Sequence, residues 1–287
     1  MKMTNKYEEI IQKFIWFSNA CPEMRAAAII GSRARTNQPA DELSDLDIVV
    51  FSTDPEKYLN DTQWLDEIGN YAITFLERLP VGNGKERRVM FQDALDVDFA
   101  ILPANQATEM FKSSEVQAVF KKGMKVIFDK DGLFSNLVIN PSSSVSETTS
   151  LPSKNVVQNT LQDFWYHCIW SMKKILRGEY WTAKMCVDQH MKNLTLKLIE
   201  WHYLVNQNES IEIWHNGRFF ERWVDQDIQN EMKDCFAHYD QDDLVRALKN
   251  NMRLFSRLSK NVTKILTIPY PEESERFVWD WFAQVEK

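Results

Sequence analysis

Three aspartates and one glycine-containing turn are the residues of this chain most suited to chemistry. The turn Gly31-Ser32-Arg33 follows the short apolar run 25–30, and the segment Asp45-Leu46-Asp47 follows the turn. A third carboxylate, Asp98, lies at the start of a later apolar run. Carboxylates that approach one another repel unless a cation lies between them, and Mg²⁺ prefers oxygen ligands and bridges phosphates. The pattern predicts a metal site beside a phosphate-binding turn, which is an arrangement for nucleotidyl transfer.

The turn and the strand after it are expected to form the two sides of this site. Gly31 has no Cβ, so the backbone can approach a ligand closely. The Ser32 hydroxyl and the backbone N–H groups that follow can hold phosphate oxygens. Residues 45–51 are predicted to form a strand whose period of two places Asp45 and Asp47 on one face. The sequence contains neither the Gly-x-x-x-x-Gly-Lys-Ser/Thr loop nor the Gly-x-Gly-x-x-Gly turn.

The third carboxylate comes from the run 95–102, in which Asp96 and Asp98 share one strand face. Asp98 lies deeper in the apolar run, where burying an ionised carboxylate without a partner is costly. Asp96 is expected at the edge, facing water. We therefore expect Asp98, rather than Asp96, to complete the metal site and to accept the proton of an attacking hydroxyl.

Composition excludes several classes of protein. The 287 residues are 44% apolar and 26% charged, which is ordinary for a globular protein, and no apolar run reaches the length of a membrane span. A net charge of −7 argues against a nucleic-acid partner. The four cysteines are scattered, which favours reduced thiols over zinc binding. No signal peptide is recognisable at the N-terminus, so we expect a cytoplasmic protein.

Apolar periodicity predicts an α+β protein with two domains. Residues 1–140 are predicted to form a mixed sheet with helices, residues 141–152 a linker or surface loop rich in Ser, Thr and Pro, and residues 153–287 an all-helical domain. In the first domain we expect helices at 7–17 and near 64–68, strands at 71–76, 88–91 and 125–128, and a turn at 82–84. In the second we expect a helix capped by Ser153 and long helices at 184–198 and 241–266.

At this point the chain resembles a known family, the bacterial aminoglycoside 6-adenylyltransferases. The span from Gly31 to Phe51 is similar to the nucleotidyltransferase motif of that family. Further similar segments follow in the family's order: Trp64-Leu65, Phe91-Gln-Asp93, 97–103, 128–132, Asp163-Phe-Trp165, Lys173 with Arg177 and Glu179, Trp201-His202, Asn216 with Arg218-Phe219, and Tyr270-Pro271.

The resemblance implies an N-terminal domain of the nucleotidyltransferase fold, a helical C-terminal domain and a substrate cleft between them. It implies the transfer of AMP from ATP, with two Mg²⁺ ions, to a hydroxyl of a streptomycin-like aminoglycoside, with release of pyrophosphate. The implied partner is a cationic small molecule, with no nucleic acid, membrane or obligate protein partner. By position, the implied roles are metal carboxylates for Asp45, Asp47 and Asp98; nucleotide contacts for Gly31, Ser32, Arg33, Lys173 and Arg177; and acceptor contacts for Asp163, Trp165 and Glu179.

Several alternatives stay open at this point. The chain departs from the family's pattern at Gln162-Asp163, Lys174 and Trp214-His215, so the acceptor could be a lincosamide or an endogenous metabolite, or the protein a non-catalytic nucleotide-binding relative. Lys173 and Arg177 could lie on a solvated helix face. Glu179 could pair with either of them across the helix surface. His190 and His215 are expected to be ordinary surface or loop histidines.

Overall fold

The computed structural model describes residues 3–35, 40–79, 84–137, 151–206, 213 and 215–285. The chain divides into two compact units, Met1–Val145 and Ser146–Lys287. The segment predicted as a linker, 141–152, lies outside the described residues except for its last two positions.

The first unit alternates strands with short helices. Its elements are α1 Met3–Ala20, β1 Met24–Ile30, β2 Leu46–Ser52, α2 Pro55–Asn60, α3 Gln63–Asp66, β3 Tyr71–Arg78, β4 Lys85–Phe91, β5 Leu95–Pro103, α4 Ala107–Met110, α5 Ser114–Lys122 and β6 Lys125–Asp129. The predicted helix at 7–17 is part of the longer α1, whereas the predicted helix near 64–68 is only the single turn α3. The predicted turn at 82–84 lies almost wholly outside the described residues.

The six strands form one sheet in the order β3-β4-β5-β2-β1-β6. Only the central pair, β2 and β5, is parallel among the strand pairs of the described sheet, and its register places Asp47 beside Asp98. Both faces of these strands are buried, which is why they read in the sequence as nearly continuous apolar runs.

The two faces of the sheet carry different cores. Leu46, Ile48 and Val50 of β2 point to one face, where they pack with residues of α1, α2 and α3. Val49 and Phe51 point to the other face, where they pack with residues of α4 and α5. Because side chains alternate along a strand, Asp47 shares its face with Val49 and Phe51. The sheet thus presents the carboxylate on the face against which α4 and α5 pack.

The second unit is helical. Its elements are α6 Lys154–Leu176, α7 Tyr180–Met185, α8 Met191–Asn206, α9 Phe220–Trp223, α10 Gln226–Asp234, α11 Gln241–Ile265 and α12 Glu272–Val285. The Ser153 hydroxyl accepts a hydrogen bond from the backbone N–H of Val156, which confirms the predicted cap of α6. Asp240 caps α11 in the same way through the N–H of Asp243.

One turn of π-helix, Cys186–His190, separates α7 from α8. The segment 184–198, predicted as a long helix, is helical throughout, but it contains this one wide turn, which apolar periodicity does not reveal. The core of this unit is built on α6, α8 and α11, and the ring of Phe164 stacks on that of Phe255 with a centroid separation of 3.6 Å.

The predicted α+β class, a mixed sheet followed by an all-helical region, is confirmed. Among the described helices, none has both the length and the apolar character that crossing a bilayer requires.

Candidate active site

The three predicted carboxylates come together at one end of the β2–β5 pair. Asp45 lies in the loop just before β2, Asp47 is the second residue of β2, and Asp98 is its neighbour on β5. Ligand oxygens of Asp45, Asp47 and Asp98 all lie within 4.8 Å of one another. The sequence analysis placed Asp45 in the strand, whereas β2 begins one residue later, at Leu46. Asp45 nevertheless belongs to the carboxylate cluster.

The electrostatics of the cluster disfavour three negative charges. Burial, followed by the charges of Asp45 and Asp98, raises the pKa of Asp47 to about 7. Burial likewise raises the pKa of Asp98 to about 6, although the guanidinium of Arg88 acts in the opposite direction. The cluster therefore needs positive charge to be fully ionised at neutral pH.

Arg88 supplies part of that charge. It lies opposite Asp98 in the β4–β5 register, and its Nη2 donates to Oδ2 of Asp98 at 2.6 Å. The same guanidinium lies 3.2 Å from Glu86 and 3.4 Å from Glu77. Asp98 is only 3% exposed, and its Oδ1 is buried with no hydrogen-bond partner among the described residues. One oxygen of Asp98 is thus held by Arg88, and the other is left for a further ligand.

The turn Gly31–Arg33 borders the carboxylates. Gly31 has φ +67, and a Cβ built there would collide with Oδ2 of Asp47. Only glycine fits both this backbone conformation and this close approach. Oγ of Ser32 is buried and finds no hydrogen-bond partner in the described part of the chain.

Arg33 has a structural role that the sequence analysis did not predict. Its Nε donates to the carbonyl oxygen of Asp45 at 2.9 Å and its Nη2 to that of Ser44 at 2.5 Å. The guanidinium also lies over the ring of Tyr7, 3.6 Å from its centre. Arg33 therefore fixes the backbone that carries Asp45.

These residues fit a hard divalent cation. Every potential ligand atom in the cluster is a carboxylate oxygen, which suits Mg²⁺ better than softer ions. The unpartnered Oδ1 of Asp98 would be used by such an ion, and the absence of a Cβ on Gly31 leaves room for Oδ2 of Asp47.

A pocket of about 170 Å³ lies beside the carboxylates. Asp47, Glu86 and Asp98 line it together with apolar side chains of the sheet and of α4 and α5, among them Phe51 and Phe120. It therefore offers a ligand an acidic end and a non-polar wall.

In the second unit, the predicted nucleotide and acceptor residues do not form one group of mutual contacts. Nζ of Lys173 lies 5.9 Å from the centre of the Trp281 ring, beside a pocket of about 560 Å³. Glu179 pairs with Lys174 at 2.6 Å and with Arg177 at 2.7 Å. Of the two partners predicted for Glu179, Arg177 does pair with it. The second observed partner is Lys174 rather than the predicted Lys173. Arg177 is 72% exposed.

Asp163 and Trp165 occupy different environments. The carboxylate of Asp163 contacts both His167 and His190. His190, expected to be an ordinary surface histidine, is 42% exposed and contacts this carboxylate through Nε2. Trp165 is 1% exposed and packs on Phe164 and Phe255, so most of its ring belongs to the core.

Comparison with known proteins decides the family. A family model described as streptomycin adenylyltransferase matches residues 4–285. The chain belongs to this family. Two relatives named aminoglycoside 6-adenylyltransferase, from Bacillus subtilis (strain 168) and Campylobacter jejuni, are each 23% identical to it. The matches cover 93% of this chain and 94% of the first relative, and 94% of this chain and 92% of the second.

One solved structure also matches the chain. It is the crystal structure of an aminoglycoside 6-adenyltransferase from Bacillus subtilis, with a TM-score of 0.46, 18% identity and 97% coverage of both chains. The predicted resemblance to the adenylyltransferase family, and with it the nucleotidyltransferase class of enzyme, is confirmed by the family match.

Within this streptomycin adenylyltransferase family member, sequence reasoning missed Glu86 and Arg88. A signal for both was present. The alternation of 85–91 places Glu86 and Arg88 on one face of a strand, and charged residues at alternate positions of a strand indicate a polar surface. The contact of Arg88 with Asp98 depends on the β4–β5 register, which a single strand does not reveal.

Proposed function

We propose that this protein transfers AMP from ATP to a hydroxyl of an aminoglycoside in a Mg²⁺-dependent reaction, with streptomycin the first acceptor to test. The observation that carries the proposal is the clustering of the Asp45, Asp47 and Asp98 oxygens within 4.8 Å in a member of this family. The names of the relatives support an aminoglycoside acceptor.

In the proposed reaction, the acceptor hydroxyl oxygen forms a bond to the α-phosphorus of ATP, and the bond from that phosphorus to the bridging oxygen breaks. Pyrophosphate leaves with the bonding electrons. Two Mg²⁺ ions, when bound, neutralise phosphate charge and acidify the hydroxyl. Asp45, Asp47 and Asp98 would hold them, and Asp98 would accept the hydroxyl proton.

The neighbouring residues support this assignment of roles. Arg88 holds Oδ2 of Asp98, which leaves Oδ1 directed to other partners. Gly31 allows the turn to approach Asp47, and the Ser32 hydroxyl is available to a phosphate oxygen. Arg33 acts by fixing the loop before Asp45. These contacts preorganise charged groups before a substrate binds.

The helical unit is proposed to supply the remaining contacts. Lys173 and Arg177 are proposed for the nucleotide, and Asp163, Glu179 and Trp165 for the acceptor. Asp163 and Glu179 carry the negative charge that a cationic antibiotic requires. The ring of Trp165 is mostly covered, so its proposed role is to shape the wall of the larger pocket rather than to stack openly on a ligand.

The central experiment compares Asp98→Asn with Asp96→Asn on the same strand face. We expect Asp98→Asn to lower pyrophosphate release with ATP, Mg²⁺ and streptomycin by a factor on the order of 10³. ATP binding should persist, because Asp45 and Asp47 remain. Asp96→Asn should change the rate only a few-fold. Near-normal turnover of Asp98→Asn would refute its role as base.

An acceptor panel tests the substrate class. Pyrophosphate release is measured with streptomycin, other aminoglycosides and lincosamides. Release with an aminoglycoside supports the proposal. Pyrophosphate release only with a lincosamide would show that the acceptor is not an aminoglycoside. If no compound of the panel causes release while Mg²⁺-dependent ATP binding is intact, the acceptor is another small molecule. Absence of Mg²⁺-dependent ATP binding by the wild-type chain would contradict the proposed function itself.

A further inference from the structure

A second group of potential metal ligands lies in the helical unit. Nδ1 of His167 lies 2.7 Å, and Nε2 of His190 2.9 Å, from the same oxygen, Oδ1 of Asp163. All three ligand atoms lie within 4.8 Å of one another, and the two imidazole rings are 4.3 Å apart. Each side chain is partly exposed, so an ion can reach the group from solvent.

Two elements position this group. Asp163 and His167 lie one turn apart on α6, so they share a face of the helix. Two ligands at this spacing on a helix can bind one metal ion. His190 is the last residue of the π-helical turn Cys186–His190, and such turns occur frequently at functional sites.

The backbone on both sides of the group is held by the core. Phe164 and Cys168 of α6, and Val187 and Met191 around the π-helical turn, are fully buried. The three ligands therefore project from segments whose positions are fixed by packing, as a preorganised metal site requires.

We propose that Asp163, His167 and His190 bind a divalent transition-metal ion, with Zn²⁺ as the best-fitting ion. Two imidazole nitrogens and one carboxylate oxygen form a set that Zn²⁺ accepts, whereas Mg²⁺ prefers oxygen alone. Tetrahedral Zn²⁺ separates its ligand atoms by about 3.4 Å, so the side chains need to spread by about 0.5 Å. Three protein ligands leave one position for water or a small ligand.

Binding changes the hydrogen bonds of His167. Its Nδ1 also lies 2.9 Å from the carbonyl oxygen of Asp163, which is a contact that needs a proton on Nδ1. A metal ion at Nδ1 requires that this proton be lost or moved to Nε2. The acceptor contact proposed for Asp163 would therefore apply to the metal-free chain, because an ion at this site would neutralise that carboxylate.

The test is a Co²⁺ titration of the full chain, followed by ligand-field absorption, in excess Mg²⁺ to occupy the three aspartates of the first unit. The expected result is one Co²⁺ per chain with the intense absorption of a low-coordinate site. His167→Gln and His190→Gln should each weaken binding about 100-fold. His238→Gln is the matched control, since His238 also contacts a carboxylate, that of Asp243, but is 91% exposed. It should bind Co²⁺ like the wild type.

A second measurement avoids any variant. Of the five histidines in the chain, Zn²⁺ should shift the ring NMR signals of two and leave the others unchanged. Equal Co²⁺ affinity in all variants, or no histidine shift with Zn²⁺, would show that the group is only hydrogen-bonded. Because both readouts are metal binding in the helical unit, they are independent of whether AMP transfer occurs.

Discussion

Asp47 is surrounded by features that oppose its negative charge: burial first, and then the charges of Asp45 and Asp98. In the metal-free protein the pKa of Asp47 is raised to about 7, well above its ordinary value. The folded chain therefore binds this proton more tightly than the unfolded chain does. Stability arising from Asp47 is present at low pH and is lost as the pH rises from about 4 to about 7.

Asp47→Asn mimics the protonated form at every pH. In EDTA, we expect the variant to exceed the wild type in free energy of unfolding by about 1–3 kcal/mol at pH 8, and by clearly less at pH 5, because the loss in the wild type begins only near pH 4. Urea denaturation at both pH values measures this difference. Asp66→Asn, at an exposed position, is the control.

Added Mg²⁺ should make the wild type more stable to urea than Asp47→Asn at pH 8. The wild type should gain stability because the ion binds only the folded site, while Asp47→Asn should gain little. The same stability difference at both pH values, or equal stabilisation by Mg²⁺, would contradict the metal site.

At the scale of elements, the strands that carry the site could be predicted from the sequence. The pairing of these strands with one another and with β4 could not. The runs 45–51 and 95–102 could be recognised because burial on both faces leaves an apolar sequence interrupted only by the carboxylates. The parallel register that joins Asp47 to Asp98, and the antiparallel one that brings Arg88 to Asp98, depend on contacts between distant segments. A local sequence pattern does not contain this information.

The π-helical turn is the second element that the sequence concealed. The helical pattern of apolar residues continues on both sides of Cys186–His190, since α7 and α8 both pack on the core. The turn adds one residue relative to a regular helix, and it aims His190 at Asp163.

Deleting the exposed Gln189 should convert this turn to regular α-helix. We expect the helical circular dichroism signal to be retained, because the apolar faces of α7 and α8 come into a normal register. The contact between His190 and Asp163 should then be lost. Co²⁺ binding should weaken to the same extent as in the His190→Gln variant. A deletion variant that keeps wild-type Co²⁺ affinity would show that the wide turn does not position the ligand.

At the scale of the whole molecule, each unit has cores of its own. The sheet packs one core on either face, while the helical unit has a single large core. Among the described residues, the cores of the two units share no member. A substitution that removes packing in the core of one unit is therefore expected to lower the stability of that unit first.

Phe255→Ala tests this independence. The ring of Phe255 is fully buried and stacks on Phe164, so we expect a loss of about 3–5 kcal/mol in the stability of the helical unit. Hydrogen exchange should accelerate in α6 and α11 and stay slow in β2 and β5. Phe277→Ala, at a ring that is 64% exposed, should have little effect. Equal acceleration in both units would show that the chain unfolds as one.

The parallel pairing of β2 with β5 also has a consequence for how the chain folds. It closes a loop of about 50 residues, and this closure has an entropic cost before any contact is gained. The same closure brings two carboxylates together, so electrostatic repulsion adds to the barrier once both are ionised. Refolding is therefore expected to be slower at pH 8 than at pH 5, and faster when a divalent cation is present. The ion that serves the reaction would then also govern how quickly a newly made chain completes its sheet.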